Sequence, residues 1–132
     1  MRVERITASE HIAAAGELLR EHWQELTLFK DRALLKPDVA RYKALEDAGS
    51  LVSLGLFDKD ALVGYSVNLL SMHLHYADLL CMSNDVLFVT KEFRQGRQGL
   101  LLIRATEQLA KDCGAQVMTW HAKEGTTLSA LM

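Results

Sequence analysis

The sequence predicts a single α/β (α+β) domain, a mixed and mostly antiparallel central sheet flanked by helices, with one β-α-β unit in its second half. Three observations predict it. The apolar runs Leu51–Phe57, Ala61–Leu70 and Leu79–Val89 follow one another with turn residues between them, the pattern of antiparallel strands in series. The third run leads through a turn of glycine and basic residues into a helically spaced stretch, and another apolar run follows Gly114. Upstream, two stretches with helical periodicity precede the strands.

Taken in order, Val3–Ile6 alternates between apolar and polar and reads as a first strand. Thr7 and Glu10 have the spacing of a capping box, ahead of Ile12, Ala15, Leu19, Trp23 and Leu26 at helical intervals. At ~3.6 residues per turn this predicts a helix of about four turns. Leu28–Leu35 is less regular and reads as a loop or a short helix. Pro37 and Asp38 open a second helix, because proline is favoured in the first turn and an acid suits the positive end of the dipole. Val39, Tyr42 and Leu45 share one face of it, and Gly49 stops it. Asp58-Lys59-Asp60 turns a hairpin. The second strand of that hairpin is expected to run on through Met72-His73-Leu74-His75-Tyr76, with a turn at Ala77-Asp78.

The helix after the glycine-rich turn has Leu102, Ala105, Thr106, Leu109 and Cys113 on one stripe and Gly114 in the position of a C-terminal cap. Gln116–His121 is the next strand. A helical crossover joins it to the strand before, so the two are expected to be parallel or splayed from parallel. Thr126 or Thr127 would cap a last helix.

Composition bounds the function. The chain has 132 residues, 49% of them hydrophobic and 24% charged, an ordinary globular balance. A net charge of −2 argues against a duplex nucleic-acid binder that works by bulk electrostatics, while leaving room for a local basic pocket. Cys81 and Cys113 are the only cysteines and form no Cys-x-x-Cys, and no leader or membrane-spanning apolar run is read. These features lead us to expect a cytoplasmic protein with two free, structural thiols. One proline and no Ser/Gly/Pro tract imply no linker, and no internal repeat is read.

The chemistry concentrates between Phe88 and Gly114. Arg94, Gly96, Arg97 and Gly99 fall where a helix must begin. Helix starts carry unpartnered N–H groups and partial positive charge, glycine allows close approach to the main chain, and arginine adds a forked donor. This combination reads as a cradle for a pyrophosphate. No Gly-Lys-Ser/Thr follows, which argues against an NTPase loop, and Gly96-x-x-Gly99 lacks the first glycine and the downstream acid of a dinucleotide fingerprint.

Phe93-Arg94-Gln95-Gly96-Arg97-Gln98-Gly99 resembles the acetyl-CoA-binding motif of the GCN5-related N-acetyltransferase (GNAT) superfamily. The usual spacing there is Arg/Gln, two residues, Gly, one residue, Gly/Ala. Arg94 and Gly99 occupy the outer positions, whereas Arg97 holds the inner glycine position and Gly96 lies one place early. The resemblance runs from the first strand to the start of the last helix. It implies a GNAT-like fold, with acetyl-CoA (CoA) as cofactor and an acetyl group passed to a primary amine by direct attack in a ternary complex. It further implies that the main chain of Leu87, Phe88 and Val89 pairs with the pantetheine arm. Amides from Arg94 through Gln95, Gly96, Arg97, Gln98, Gly99 and Leu100 would wrap the pyrophosphate. An N–H near Val89 would polarise the thioester carbonyl.

The resembled fold normally continues through a full helix and two more strands that carry a frequently catalytic tyrosine. The resemblance therefore implies a shortened member or a fragment, whose open edge favours a homodimer or completion by another chain. Its acceptor is expected to be a small-molecule or peptide amine, met by the segment between the first two helices, where Phe29, Lys30, Asp31 and Arg32 stand. A CoA-binding domain without catalysis is the alternative reading.

For the general base, the family often uses a carboxylate on the strand before the cradle, and Asp85 is the only acid on that strand. Simple alternation gives it a face shared with Leu87 and Val89. The plain alternative is a surface or structural acid, with Ser83 and Asn84 holding a water. His73 and His75, two apart on an expected strand, share a face, and His75 is the second candidate because imidazole titrates near neutrality. Tyr76 is the candidate proton donor in place of the missing tyrosine. The His-x-His pair falls short of a metal site, since zinc normally needs a third protein ligand and only His121 lies on another expected strand.

Overall fold

The computed structural model describes residues 1–14, 20, 39–94 and 96–120. The described elements, in chain order, begin with β1 (Arg2–Ile6), α1 (Ala8–Ala14), α2 (Val39–Asp47), β2 (Leu51–Asp58) and β3 (Ala61–Met72). They continue with β4 (Leu80–Val89), a 3₁₀ turn (Lys91–Phe93), α3 (Gln98–Asp112) and β5 (Val117–Thr119). The five strands form one sheet in the order β1-β2-β3-β4-β5. The first three pairings are antiparallel and β4–β5 is parallel, as the helical crossover requires.

The first helix starts where expected, but its cap is different. The Thr7 main-chain carbonyl receives Glu10 N–H at 3.1 Å and His11 N–H at 2.9 Å, so the Thr7/Glu10 pair works through the backbone. Two donors of the first turn go to α2: Glu46 accepts from Ala8 N at 2.6 Å and from Ser9 N at 3.2 Å. A carboxylate at a helix start satisfies donors and opposes the dipole charge, here from another element. The α2 helix ends as expected at Gly49, whose φ of 75° lets Ser50 N–H return to the Leu45 carbonyl at 2.9 Å. Gly114 (φ 82°) ends α3 in the same way, with Ala115 N–H on the Ala110 carbonyl at 2.9 Å. Ile12, Ala15, Leu19, Trp23, Leu26, Pro37, Asp38, the Phe29–Arg32 segment, His121 and Thr126–Thr127 fall on positions whose side chains or placement lie outside the described residues.

Two apolar layers cover the sheet. On one face Tyr42 and Leu45 of α2 pack with Ile6, Ala8, Leu51, Phe57, Tyr65, Val67 and Phe88. On the other, Leu102, Leu109 and Ala110 of α3 pack on Val52, Leu54, Leu56, Val63, Met82 and Val89. The helical stripe read from the sequence is therefore the buried face of α3, with Ile103 and Ala110 added to it. Leu102 has no exposed surface, and burial of such a side chain contributes roughly 1.5–3 kcal/mol.

One expected strand is shorter. β3 ends at Met72, and residues 73–79 form the turn that leads to β4, with His73 N–H on the Leu79 carbonyl at 2.8 Å. His75 N–H donates to His73 Nδ1 at 3.0 Å, and the His73 ring lies 5.0 Å from that of Tyr76. Leu74 is 89% exposed and Tyr76 66% exposed, which removes the burial that would have kept this run in the sheet. The shared strand face expected for His73 and His75 is thus replaced by a local turn.

Candidate functional site

Two irregularities of β4 make the site. The first is a β-bulge: Val67 pairs with Val86 and Asn68 with Asn84, so Asp85 is an extra residue with no partner on β3. The second is the end of the β4–β5 pairing, which covers only Cys81↔Val117, Met82↔Met118 and Ser83↔Thr119. Beyond Ser83, no described residue pairs with β4 on that side.

The pairing pattern tells which groups line the opened edge. Thr90 N–H donates to the Val63 carbonyl of β3 at 2.9 Å. Main-chain groups alternate along a strand, so Phe88 and Val86 also face β3 while Leu87 and Val89 face the open side. The expected cofactor strand Leu87-Phe88-Val89 therefore presents two of its three residues to the gap. Phe88 instead packs inward against Tyr65, with ring centroids 5.8 Å apart.

The bulge also bears on the placement of Asp85. Met82 and Asn84 before it, and Leu87 and Val89 after it, lie on the α3 face, because the extra residue shifts the phase of alternation. Simple alternation along β4 therefore does not hold across Asp85. The Asp85 side chain is exposed.

At the far end of the gap lies the start of α3. Its N-cap is Arg97, without a side-chain cap, and its first turn contains no acid. The first main-chain donor returned within the helix is Leu101 N–H, to the Arg97 carbonyl at 2.8 Å. The N–H groups of Gln98, Gly99 and Leu100 therefore lack helical partners. A Cβ added at Gly99 would meet nothing within 4 Å, so this face of the first turn is open. Gly96 has a φ of 97°, a conformation that favours glycine and turns the chain into the helix. Arg94 closes back onto the strand: its Nε donates to the Val89 carbonyl at 2.6 Å, and its guanidinium carbon sits 5.3 Å from the Phe88 ring centroid. Gln95 lies outside the described residues.

The residues present fit an extended ligand with an anionic end. Three amides without helical partners, Arg94, Arg97 and an unobstructed Gly99 suit a pyrophosphate, and the edge at Leu87 and Val89 that no described residue pairs with suits an amide-bearing arm. The structure does not bring His75 or Tyr76 to this place. They occupy the turn beyond Leu80, and five residues of strand at ~3.3 Å each separate that end of β4 from the bulge, roughly 17 Å. Among the described residues no group of three or more His, Cys, Asp or Glu side chains is arranged to hold a metal.

The sequence reading missed a buried polar cluster beneath the bulge. Ser66, Asn68, Asn84 and Thr106 are each at most 1% exposed. Asn84 Nδ2 lies 2.9 Å from Asn68 Oδ1, 3.1 Å from the Val86 carbonyl and 3.3 Å from Ser66 Oγ. Asn68 Nδ2 donates to the Val52 carbonyl at 3.2 Å and to Ser66 Oγ at 3.0 Å. The Thr106 hydroxyl lies 2.8 Å from both Ser66 Oγ and the Leu102 carbonyl. The available signal was Ser66-x-Asn68 inside an apolar run, two polar residues on one strand face that were absorbed into ordinary alternation.

Comparison with known proteins adds the fold. No protein-family model and no curated protein matches the sequence. Solved structures do match. An aminoglycoside acetyltransferase from an uncultured soil metagenomic sample superposes with a TM-score of 0.77 at 17% identity, over 99% of this chain and 87% of its own. A ribosomal-protein-alanine N-acetyltransferase from Brucella melitensis biovar Abortus 2308 gives 0.70 at 16% identity, over 98% of this chain and 85% of its own. AAC(6')-Iy, in complex with the bisubstrate analogue CoA-S-monomethyl-acetylneamine, gives 0.68 at 17% identity, over 98% and 84%. The chain has the fold of the GNAT superfamily.

Proposed function

We propose that this chain is an acetyl-CoA-dependent N-acetyltransferase that passes an acetyl group to a primary amine by direct attack in a ternary complex. The observation that carries the reading is the continuity of the gap with the helix start. The edge of β4 that no described residue pairs with begins after Ser83, runs past Leu87 and Val89, and leads to the amides of Gln98, Gly99 and Leu100, which have no helical partner. The fold shared with acetyltransferases, one of them solved with a CoA-containing analogue, supports it.

Bound acetyl-CoA supplies the activated acyl group. The chain's own residues bind and orient. Gln98, Gly99 and Leu100 donate main-chain N–H groups to the pyrophosphate, with Arg94 and Arg97 adding charge. Leu87 and the Val89 N–H face the pantetheine arm, while the Val89 carbonyl is held by Arg94. A donor on this edge stabilises a developing oxyanion. Asp85, set out of the ladder by the bulge, takes a proton from the acceptor's ammonium group and so leaves the neutral amine that attacks.

Calorimetric titration with acetyl-CoA, CoA and ATP tests the reading. Binding of the two CoA species and no binding of ATP is expected, and failure of a folded chain to bind acetyl-CoA overturns it. In an amine screen with the wild-type chain, the acceptor then found serves for Asp85→Asn, which should lower kcat about a hundredfold or more at unchanged acetyl-CoA affinity.

A further inference from the structure

We infer that Thr106 is a positioning residue: its hydroxyl, bonded to Ser66 of β3, fixes where α3 rests on the sheet and so holds the amides of Gln98, Gly99 and Leu100 in place relative to Leu87. The placement of α3 concerns the chain itself, and only the consequence for acetyl-CoA rests on the acetyltransferase reading.

Thr106 stands at the middle of the buried face of α3, with Leu102 and Ile103 before it and Leu109 and Ala110 after it, and has no exposed surface. Its hydroxyl lies 2.8 Å from the Leu102 carbonyl, one turn back, and 2.8 Å from Ser66 Oγ. A carbonyl only accepts and a hydroxyl has one proton to give, so Thr106 donates to Leu102 and receives the proton of Ser66. Ser66 is itself held, because Asn68 Nδ2 at 3.0 Å and Asn84 Nδ2 at 3.3 Å reach its oxygen. It pairs in register with Leu87. The bond from α3 therefore lands on β3 at the level of the residue assigned to the pantetheine arm.

Apolar contact between α3 and the sheet has no direction, whereas a hydrogen bond has a set length and angle. A slide of α3 by about 2 Å across the Thr106–Ser66 line stretches 2.8 Å to roughly 3.4 Å and bends the bond. The helix moves as one body, so the same slide carries the amides at its start by about 2 Å, although they lie roughly 9–12 Å along the axis from Thr106 at ~1.5 Å per residue. Donors to a phosphate oxygen act at about 2.7–3.2 Å, so a displacement of that size removes them from reach. Buried polar contacts stabilise little compared with apolar side chains of equal volume, and their effect here lies in selecting one position of the helix. Valine fills the place of Thr106 without that selection. It orphans no buried donor, because the Ser66 proton has a second acceptor in Asn68 Oδ1 at 3.4 Å.

The test sets acetyl-CoA titration and melting temperature beside the NMR amide signals of the ligand-free protein. In Thr106→Val the melting temperature should stay within about 2 °C of wild type, because the volume is kept. The amide signals of Gln98, Gly99 and Leu100 should nevertheless move, and acetyl-CoA affinity should fall roughly three- to tenfold, the weight of one hydrogen bond. Thr106→Ser keeps the hydroxyl and loses the methyl. It should melt about 3–5 °C lower, yet keep those amide signals and an affinity within about twofold of wild type. A merely structural role gives the reverse order, with serine, the less stable variant, as the weaker binder. Ser66→Ala removes the same bond from the sheet side, should act as valine does, and decides the matter if the valine variant does not fold. Unmoved amide signals or wild-type affinity in folded Thr106→Val overturns the inference, as does an equal loss of affinity in Thr106→Ser. If the wild-type chain binds no acetyl-CoA, the acetyltransferase reading fails while the amide signals still decide the role of Thr106.

Discussion

Replacing Arg94 with alanine separates two roles that this residue combines. Its Nε donates to the Val89 carbonyl at 2.6 Å, and its guanidinium lies over Phe88 at 5.3 Å, so the side chain straps the glycine turn to the end of β4. A hydrogen bond from a charged donor contributes about 1.5–3 kcal/mol when buried, and the exposure of Arg94 reduces this to roughly 1 kcal/mol. The stacking on Phe88 adds about 0.5–1 kcal/mol at such a site. A turn released from the strand must be ordered again when a ligand binds. Acetyl-CoA affinity should then fall by about 1.5–2 kcal/mol, or roughly 10–30-fold. Arg94→Lys restores the charge but not the planar fork, and should stay within threefold of the alanine variant. The assay is calorimetric titration of the three proteins at fixed ionic strength. Recovery of wild-type affinity by lysine would show that charge alone matters, and an alanine variant within twofold of wild type would remove Arg94 from the site.

Gly64 faces the same stretch of β4 from the other side. A Cβ there would lie 2.8 Å from the Phe88 carbonyl and 3.3 Å from Val89 Cα, backbone atoms that cannot turn away. Gly64→Ala should destabilise by about 2 kcal/mol, roughly 6–10 °C in melting temperature for a domain of this size, measured by circular dichroism. A change below 2 °C would mean that the strands slide freely at this point. Glu46→Gln removes the charge from a cap that holds Ala8 N–H and Ser9 N–H, and should cost about 1 kcal/mol, roughly 3–5 °C in the same measurement. A neutral result would show that water serves the start of α1 as well.

What the sequence by itself determined is the local part of the molecule. Alternation located β1, apolar runs set between turn residues located β2 to β4, helical spacing located α3, and Gly49 and Gly114 end their helices with positive φ because few other residues adopt that conformation without strain. The glycine and arginine residues before α3 marked where that helix begins for the same local reason. Periodicity overreached at His73–Tyr76, where alternation in residue type continues but Leu74 and Tyr76 stay exposed. The tertiary structure alone decided how neighbours meet. The cap on α1 comes from Glu46, 38 residues from Ala8, and no spacing rule reaches that far. The extra residue at Asp85 exists only relative to the register of β3, and the gap at Ser83 only relative to β5. A count of two along β4 placed Asp85 with Leu87 and Val89. The bulge breaks that count, because a shift of register against β3 leaves no mark in the spacing of residues along β4.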